Sequence, residues 1–252
     1  MGLDDRIGLD DRTRLLVLTG AGISAESGLA TFRGGGGLWE GEPVEAVATP
    51  EGFDRDPARV WRFYAARRAA AAVARPNAAH RALVDAERRL GDRFLLVTQN
   101  VDGLHAAAGG RRVLELHGSL WRTRCSGCER EPFADTTIPT APPECDRCGA
   151  LLRPAIVWFG EPVDGDADRR TMHFMSEAAR ERARLVFLAI GTSGAVFPAS
   201  AYVRYAEDLG AETWLANLEA ADNAGSFAHV VTGRATETVP TLLGIAGQPR
   251  LP

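Results

Sequence analysis

The four cysteines of this 252-residue chain occur as two C-x-x-C pairs, Cys125 with Cys128 and Cys145 with Cys148. Sixteen residues separate the pairs, which is a spacing typical of a zinc ribbon. Because four thiolates complete a tetrahedral shell and leave no position for water, they predict one structural Zn²⁺ rather than a catalytic metal. Two disulfides or a redox role are the alternatives. Both are disfavoured, because the chain shows no signal peptide and neither pair follows a strand and opens a helix.

A glycine-rich turn follows the apolar run Leu15–Leu18, with Gly20, Gly22 and Ala25 in the order G-x-G-x-x-G/A. Small residues at these positions let backbone N–H groups approach a pyrophosphate at a helix N-terminus. A tight strand-to-helix turn without a ligand has the same pattern. Residues 31–37 then read T-F-R-G-G-G-G, a loop with one aromatic ring and one cation that could fold over a dinucleotide.

Polar side chains follow the next apolar run, Phe94–Val97, at Gln99, Asn100 and Asp102. In open α/β sheets, ligands bind at the carboxyl ends of the strands. These side chains are therefore predicted to lie where the amide or the ribose of a nucleotide could be bound. The alternative is that Asn and Asp serve the turn itself, which both residue types favour.

Three further segments follow apolar runs in the same way. His117 ends the run Val113–Leu116, and a histidine that is neutral near pH 7 can accept a proton from a hydroxyl group. A purely structural role is the alternative for a single histidine. Gly191–Ser193 and Asn217–Glu219 offer hydroxyl and carboxylate groups that could bind ribose or phosphate.

The segment Val157–Glu161, which reads V-W-F-G-E, follows the zinc motif. Its apolar residues before a glycine predict an extended conformation that could pair with a substrate peptide by β-augmentation. A strand that links two domains and contributes to the core is an equally good interpretation.

Six apolar runs alternating with helical patterns predict a Rossmann-like, doubly wound parallel sheet of the α/β class. Two stretches interrupt this pattern and are expected to form a smaller domain that combines helices with the zinc ribbon. We expect the following organisation: a flexible tail at 1–13, the large domain at 14–38, 92–120 and 154–246, the helical insertion at 39–91, the zinc-ribbon insertion at 121–153, and a second tail at 247–252.

The composition excludes several classes of protein. The formal net charge of −4 provides no basic surface, so direct nucleic-acid binding is not expected. No apolar stretch reaches the length of a membrane span, so no membrane partner is expected. The polar N-terminus lacks the apolar segment of a signal peptide, and we expect a cytoplasmic protein. A monomer is the expected oligomeric state.

The chain resembles the sirtuin family of NAD-dependent protein lysine deacylases from Arg14 to Leu243. Six motifs occur in family order: GAGISAESG-x-x-TFRG, TQN-x-D-x-LH, HGS, the paired CxxC, V-W-FGE and GTS. The resemblance implies that NAD is bound by Gly20, Ala21, Gly22, Glu26, Thr31, Phe32, Arg33, Trp39, Gln99, Asn100, Val101, Asp102, Gly191, Thr192, Ser193, Asn217, Leu218, Glu219 and Ala235. The match is loosest at Ala235, and Ala30 stands where the family usually has proline.

The resemblance also implies the reaction, in which NAD is consumed as a cosubstrate and acylated-lysine proteins are the partners. His117, Asn100 and Asp102 are the implied catalytic residues. Asn100 and Asp102 bind the nicotinamide amide, the acyl oxygen attacks C1′, and His117 deprotonates a ribose hydroxyl. The products are lysine, nicotinamide and 2′-O-acyl-ADP-ribose. The alternatives are ADP-ribosyl transfer to protein and a non-catalytic NAD-binding module.

Tyr64 and Arg67 match the Tyr-x-x-Arg pair of the class III sirtuins, here of bacterial type, which remove succinyl and malonyl groups as well as acetyl. Residues three apart share one helix face, and a guanidinium matches the geometry of a carboxylate. Arg68 is expected to be a solvated neighbour. The implied substrate-binding residues are Tyr64, Arg67, Val157, Trp158, Phe159, Gly160 and Glu161.

Overall fold

The computed structural model describes residues 6–31, 38–39, 41–163, 165–194, 196–219, 221 and 223–245. The strands are β1 (Thr13–Thr19), β2 (Leu38–Trp39), β3 (Glu42–Pro43), β4 (Phe94–Thr98), β5 (Val113–Glu115), β6 (Gly118–Cys125), β7 (Phe133–Ala134), β8 (Leu152–Ile156), β9 (Arg184–Ile190), β10 (Glu212–Asn217) and β11 (His229–Thr232). The α-helices are α1 (Val44–Val47), α2 (Pro50–Arg55), α3 (Pro57–Val73), α4 (Ala78–Leu90), α5 (Leu104–Ala107), α6 (Gly165–Arg180), α7 (Tyr202–Asp208) and α8 (Ala235–Leu242).

Six strands form one parallel sheet in the order β11-β10-β9-β1-β4-β5, which confirms the α/β fold class. Successive residues of β1 point to opposite faces, so Leu15 and Val17 enter one core while Leu16 and Leu18 enter the other. Both faces are covered by helices, which explains why the run Leu15–Leu18 in this strand is apolar. The chain order reverses between β1 and β9, and ligands bind at such a crevice in open α/β sheets.

Helix α4 covers the large sheet and does not belong to the small domain. Its apolar side, which includes Ala79, Leu83 and Leu90, packs with α8 and β1 in the same core. Asn77 caps the helix by accepting from the backbone N–H groups of Ala79 and His80. The expectation that the whole stretch 39–91 forms the small domain is therefore wrong for its last helix.

The N-terminal segment is also fixed from residue 7 onward, so the expected tail at 1–13 is wrong over its second half. Ile7 is 1% exposed and Leu9 is 5% exposed, and both join the core beneath α8. The backbone N–H of Ile7 donates to the carbonyl oxygen of Leu242 at 2.8 Å. Two apolar side chains separated by one residue, together with this hydrogen bond, therefore anchor an otherwise polar segment.

The small domain joins the first insertion to the zinc module through one shared core. Helix α3, whose N-terminus is capped by the Asp56 side chain, contributes Trp61 and Tyr64, which pack with Leu120 and Ile156. Strand β6 lies between β7 and β8 in an antiparallel sheet, and both β6 and β8 cross the expected boundaries at 120 and 154. None of the helices in the described parts of the chain is long and apolar enough to cross a membrane.

Candidate active site

A cleft of about 740 Å³ lies where the carboxyl ends of β1, β4, β9 and β10 face the small domain. The predicted residues that line it are Gly20, Ala21, Gly22, Glu26, Thr31, Tyr64, Arg67, Gln99, Asn100, Val101, Asp102, His117, Val157, Trp158, Phe159, Gly160, Glu161, Gly191, Thr192, Ser193, Asn217, Leu218, Glu219 and Ala235. Phe32, Arg33 and the side chain of Trp39 lie outside the described residues.

The glycine-rich turn after β1 requires small residues because it packs closely against the loop after β9. A Cβ on Gly22 would lie 2.6 Å from the Cα of Gly191, and a Cβ on Gly20 would lie 2.7 Å from its carbonyl oxygen. Gly191 itself has a φ of +60°, which favours glycine. The turn leads into a 3₁₀ helix at Ala21–Ser27 instead of an α-helix. The motif thus places the loops after β1 and β9 close together at the crevice.

Asn100 and Asp102 are held in the cleft by the turn after β1. The Asn100 side-chain amide donates to the carbonyl oxygen of Gly20 at 3.1 Å and to the hydroxyl of Ser24 at 3.3 Å. The Ser24 hydroxyl donates in turn to the Asp102 carboxylate at 2.7 Å. Burial raises the pKa of Asp102, although hydrogen bonds from Leu104 and Ser24 oppose this. One amide and one carboxylate are thereby fixed within the cleft.

His117 lies in the cleft between β5 and β6. Its Nδ1 is 3.1 Å from the backbone carbonyl oxygen of Gln99, and the backbone N–H of Val157 donates to the His117 carbonyl oxygen at 3.0 Å. Burial lowers the pKa of His117, while the contact with Gln99 opposes that shift. The ring is therefore neutral at pH 7 and available to accept a proton.

Another part of the cleft lining is a network of neutral polar side chains. The Gln99 amide donates to the Thr192 hydroxyl at 3.0 Å, and the Asn217 amide donates to the Thr192 carbonyl oxygen at 3.0 Å. Because Gln99 follows β4, Thr192 follows β9 and Asn217 ends β10, the network joins the carboxyl ends of three strands of the sheet. Such groups suit the hydroxyls of a nucleotide ribose.

Glu26 is bonded mainly to the start of α8. Its carboxylate accepts from the backbone N–H of Thr236 at 3.0 Å and from the Thr236 hydroxyl at 2.7 Å, and Arg234 lies 3.4 Å away. Burial raises the pKa of Glu26, but these contacts outweigh it and the net shift is downward. Glu26 therefore fixes the helix that brings Ala235 to the cleft.

Two other histidines lie behind the site and do not line the cleft. His105 is 2.9 Å from the Thr19 hydroxyl, and His80 is 3.0 Å from the Asn77 side-chain oxygen. Burial lowers the pKa of His105 to about 3 and that of His80 to about 4. Both rings are neutral and serve the structure.

Tyr64 and Arg67 both line the wall of the cleft formed by α3, as their spacing predicts. The Tyr64 ring is fully buried, and its hydroxyl accepts from the indole N–H of Trp158 at 2.9 Å. The Arg67 guanidinium lies over the Phe63 ring, 3.2 Å from its centroid, and donates to the Phe63 carbonyl oxygen at 2.6 Å. A hydroxyl and a cation are thus held on one helix face.

Arg68 is buried, so the expectation of a solvated neighbour is wrong. Its side chain is 0% exposed and donates to the Leu120 carbonyl oxygen at 2.7 Å, the Thr123 hydroxyl at 2.9 Å and the Asp135 carboxylate at 3.0 Å. Burial raises the pKa of Asp135, but hydrogen bonds from Thr123, Thr137 and Arg68 lower it to about 2. Arg68 therefore attaches α3 to the zinc module.

The segment Val157–Glu161 is a turn and not the extended strand that we predicted. Strand β8 ends at Ile156, Gly160 has a φ of +88°, and the backbone N–H of Glu161 donates to the Trp158 carbonyl oxygen at 3.0 Å. The Glu161 carboxylate accepts from the Trp158 backbone N–H and closes the turn. The segment nevertheless lines the cleft, as required of a substrate-binding element.

The four cysteines converge on one point at the edge of the small domain. Their Sγ atoms all lie within 4.8 Å of one another, with Cys125 and Cys148 3.5 Å apart and Cys128 and Cys145 3.9 Å apart. Four thiolate ligands at about 2.3 Å from a tetrahedral Zn²⁺ require similar separations. The residues fit a structural zinc ion.

Four polar or aromatic residues in or beside the cleft were not among the predicted site residues. Ser24 lies inside the glycine motif, where its bond to Asp102 could have been suspected. Trp121 is adjacent to the cleft and donates from its indole to the Asp102 carbonyl oxygen at 2.8 Å. Phe197 lines the cleft with 77% of its surface exposed, and Arg234 precedes Ala235. The sequence carries no local signal for Phe197 or Arg234, because both reach the cleft only through the way in which their loops pack.

Comparison with known proteins gives concordant matches over most of the chain. The profile of the Sir2 family matches residues 20–198. The NAD-dependent protein deacylase 2 of Pyrobaculum aerophilum is 46% identical over 228 residues, which are 90% of this chain and 89% of that protein. The NAD-dependent protein deacylase of Escherichia coli strain K12 is 46% identical over 235 residues, 91% of this chain and 81% of that protein. A crystal structure of a Sir2 homologue with NAD has a TM-score of 0.80 at 39% identity, over 90% of this chain and 87% of that one.

Proposed function

The chain belongs to the Sir2 family, and on this premise we propose that, as an NAD-dependent protein deacylase, it prefers acyl groups that end in a carboxylate. Succinyl-lysine and malonyl-lysine in proteins are then its main substrates, and acetyl-lysine is a poorer one. The observation that carries this proposal is the presence of Tyr64 and Arg67 in the same cleft as His117 and Asn100.

The chemistry of this pair supports a carboxylate. An arginine side chain and a carboxylate form charge-assisted hydrogen bonds that are about twice as strong as those between neutral groups. Burial raises the pKa of Tyr64, so its hydroxyl keeps its proton and can donate. A plain acetyl group has no charged end that could bind to either residue. The pair therefore favours the longer, acidic acyl chains by binding an end that acetyl-lysine lacks.

NAD fits the polar residues of the cleft, which follow four parallel strands at the crevice where dinucleotides bind in such sheets. When bound, NAD supplies an electrophilic ribose carbon and nicotinamide as leaving group. We assign the nicotinamide end to Asn100 and Asp102, whose side chains are fixed by Ser24 and Gly20. We assign the riboses to the Thr192 and Asn217 network.

His117 is the general base in this proposal. Its Nδ1 is occupied by the Gln99 carbonyl oxygen, which leaves Nε2 to accept a proton from a ribose hydroxyl. The deprotonated oxygen would bond to the acyl carbon, the bond between that carbon and the lysine nitrogen would break to release lysine, and one water molecule would supply the hydroxyl that remains on C1′. The acyl group ends on ADP-ribose and the nicotinamide is free.

The polypeptide around the acyl-lysine is expected to lie along the turn Val157–Glu161. Phe159 is 48% exposed there, and its backbone N–H is bonded to the Ala48 carbonyl oxygen. The exposed Phe197 lies in the same cleft and offers an apolar contact for a neighbouring substrate side chain.

Paired peptides that differ only in the acyl group test the proposal. We expect the kcat/KM for succinyl-lysine to exceed that for acetyl-lysine by at least about tenfold, the worth of one or two bonds to a charged group. An equal or higher value for acetyl-lysine would overturn the proposed preference. Labelled NAD separates the alternative of ADP-ribosyl transfer, since that reaction leaves the label on protein.

A further inference from the structure

We propose that Trp158 is a positioning residue that determines acyl specificity by fixing the direction of the Tyr64 hydroxyl. This inference rests on the proposed function, because it concerns how the acyl carboxylate is bound. It assigns to the Trp158 side chain a role that is separate from the place of the turn Val157–Glu161 beside the substrate polypeptide.

The geometry of the two side chains sets the direction of the hydroxyl. The Trp158 indole Nε1 lies 2.9 Å from the Tyr64 oxygen, and an indole N–H can only donate. The Tyr64 oxygen is therefore the acceptor in this bond, and its own proton points away from Trp158. Since both residues line the cleft, the indole sets the directions in which the hydroxyl can donate there.

The indole is itself held firmly. It is 2% exposed, and the Arg153 guanidinium lies over its ring, 3.3 Å from the centroid. Arg153 donates twice to the Glu161 carboxylate, at 2.7 Å and 2.8 Å, and that carboxylate also accepts from the Trp158 backbone N–H at 2.9 Å. A buried ion pair thus clamps the ring from one side and the backbone from the other.

Because the indole is fixed, the Tyr64 hydroxyl is a hydrogen-bond donor of set direction in the acyl pocket. A carboxylate beside Arg67 gains a hydrogen bond from Tyr64 without first having to turn the hydroxyl. Preorganised donors of this kind raise affinity, because the ordering is complete before the ligand binds. An acetyl group carries no carboxylate, so the direction of the hydroxyl has little bearing on it.

The Trp158→Phe variant tests this role, because it removes the indole N–H and retains an aromatic ring. We expect the ratio of kcat/KM for succinyl-lysine over acetyl-lysine to fall about tenfold, chiefly through a higher KM for succinyl-lysine. Trp61→Phe is the matched control. Trp61 is 1% exposed in the same core, and its single indole N–H donates to the Leu152 carbonyl oxygen instead of to the Tyr64 hydroxyl. It should leave the ratio unchanged.

A double-variant cycle distinguishes positioning from mere packing. If Trp158 acts through the hydroxyl, adding Trp158→Phe to Tyr64→Phe changes the ratio less than about twofold. Additive effects, or an unchanged ratio in Trp158→Phe alone, would overturn the inference. Indole ¹⁵N spectra of the wild type need no variant. The Trp158 signal should shift more with a succinyl-lysine than with an acetyl-lysine peptide, and equal shifts would count against the proposal.

The same series separates this inference from the proposed function. If Arg67→Met lowers the ratio and Trp158→Phe does not, the inference is overturned and the carboxylate pocket stands. If the wild type shows no preference for succinyl-lysine, the proposed function fails and the inference fails with it. If the ratio falls in both Arg67→Met and Trp158→Phe and is unchanged in Trp61→Phe, the proposed function and the inference are both supported.

Discussion

The Nδ1 atom of His117 lies 3.1 Å from the backbone carbonyl oxygen of Gln99, and this contact fixes which nitrogen of the ring can act as a base. A carbonyl oxygen only accepts, so the neutral ring carries its proton on Nδ1 and has its lone pair on Nε2. Gln99 follows β4 and His117 follows β5, so two adjacent strands set the tautomer. The catalytic role assigned to His117 depends on this arrangement.

Replacing His117 should abolish turnover without unfolding the protein. We expect His117→Ala to lower kcat by about 10²–10⁴-fold, the usual contribution of a general base. Steady-state kinetics with a succinyl-lysine peptide measure the loss, and circular dichroism shows whether the fold survives. Turnover within about threefold of the wild type would contradict the assignment.

The pH dependence of the wild type follows from the same histidine. Burial lowers the pKa of His117 below 6.5, so the ring loses its proton below that pH as the pH rises. The value of kcat/KM should therefore increase with pH on the acid side and reach its plateau by about pH 7. An acid limb with its midpoint well above 6.5 would contradict the pKa direction.

Arg67→Met should reduce activity on acidic acyl groups selectively. The substitution keeps an unbranched side chain and removes the cation. We expect the ratio of kcat/KM for succinyl-lysine over acetyl-lysine to fall by roughly 10- to 100-fold, the worth of bonds to a charged group. Parallel assays of the two peptides measure the ratio. Equal losses on both peptides would show that Arg67 does not bind the acyl carboxylate.

Replacing the neighbouring Arg68 should reduce the stability of the protein, whereas replacing Arg67 should reduce its acyl selectivity. Arg68→Met removes a fully buried cation and leaves the Asp135 carboxylate, which is 12% exposed, without its partner, so we expect the free energy of unfolding to fall by about 3 kcal/mol. Arg67→Met serves as the matched control, with an expected loss below about 1 kcal/mol. Urea unfolding of the two variants measures the difference. Similar stabilities would refute the structural role of Arg68.

Zinc should be integral to the small domain. We expect about one zinc ion per chain by atomic spectroscopy, and its loss in Cys125→Ser, because three thiolates no longer complete the tetrahedral shell. Strand β6 carries both Cys125 and the Thr123 that binds Arg68, so removal of the ion should lower the melting temperature and loosen α3. Unchanged melting of a zinc-free protein would exclude this role.

The sequence predicts the strand ends of the site well, because one local rule governs them. Buried parallel strands are apolar throughout, and the polar residues that follow them lie at the carboxyl edge of the sheet. Gln99, His117 and Thr192 each follow such a run, and the structure brings them into one cleft. The cysteine spacing is equally local, and the four Sγ atoms do converge.

The errors concern residues whose environment depends on distant partners. Arg68 lies four residues after Tyr64 on the buried stripe of α3, but the alanine-rich sequence around it does not reveal which side is buried. Its partner Asp135 is 67 residues away. Ile7 looks isolated in a polar segment, and its burial comes from the core that it shares with α8, where its backbone N–H also donates to Leu242. Such contacts between distant parts of the chain leave no periodic pattern in the sequence.

Product analysis by mass spectrometry tests the central claim most directly. The purified protein is incubated with NAD and a matched pair of succinyl- and acetyl-lysine peptides, and the small products are identified. We expect faster loss of the succinyl group, with nicotinamide and O-succinyl-ADP-ribose formed in equal amounts. Faster loss of acetyl would contradict the role of Tyr64 and Arg67. Free succinate with no acyl-ADP-ribose at the earliest times would contradict the mechanism.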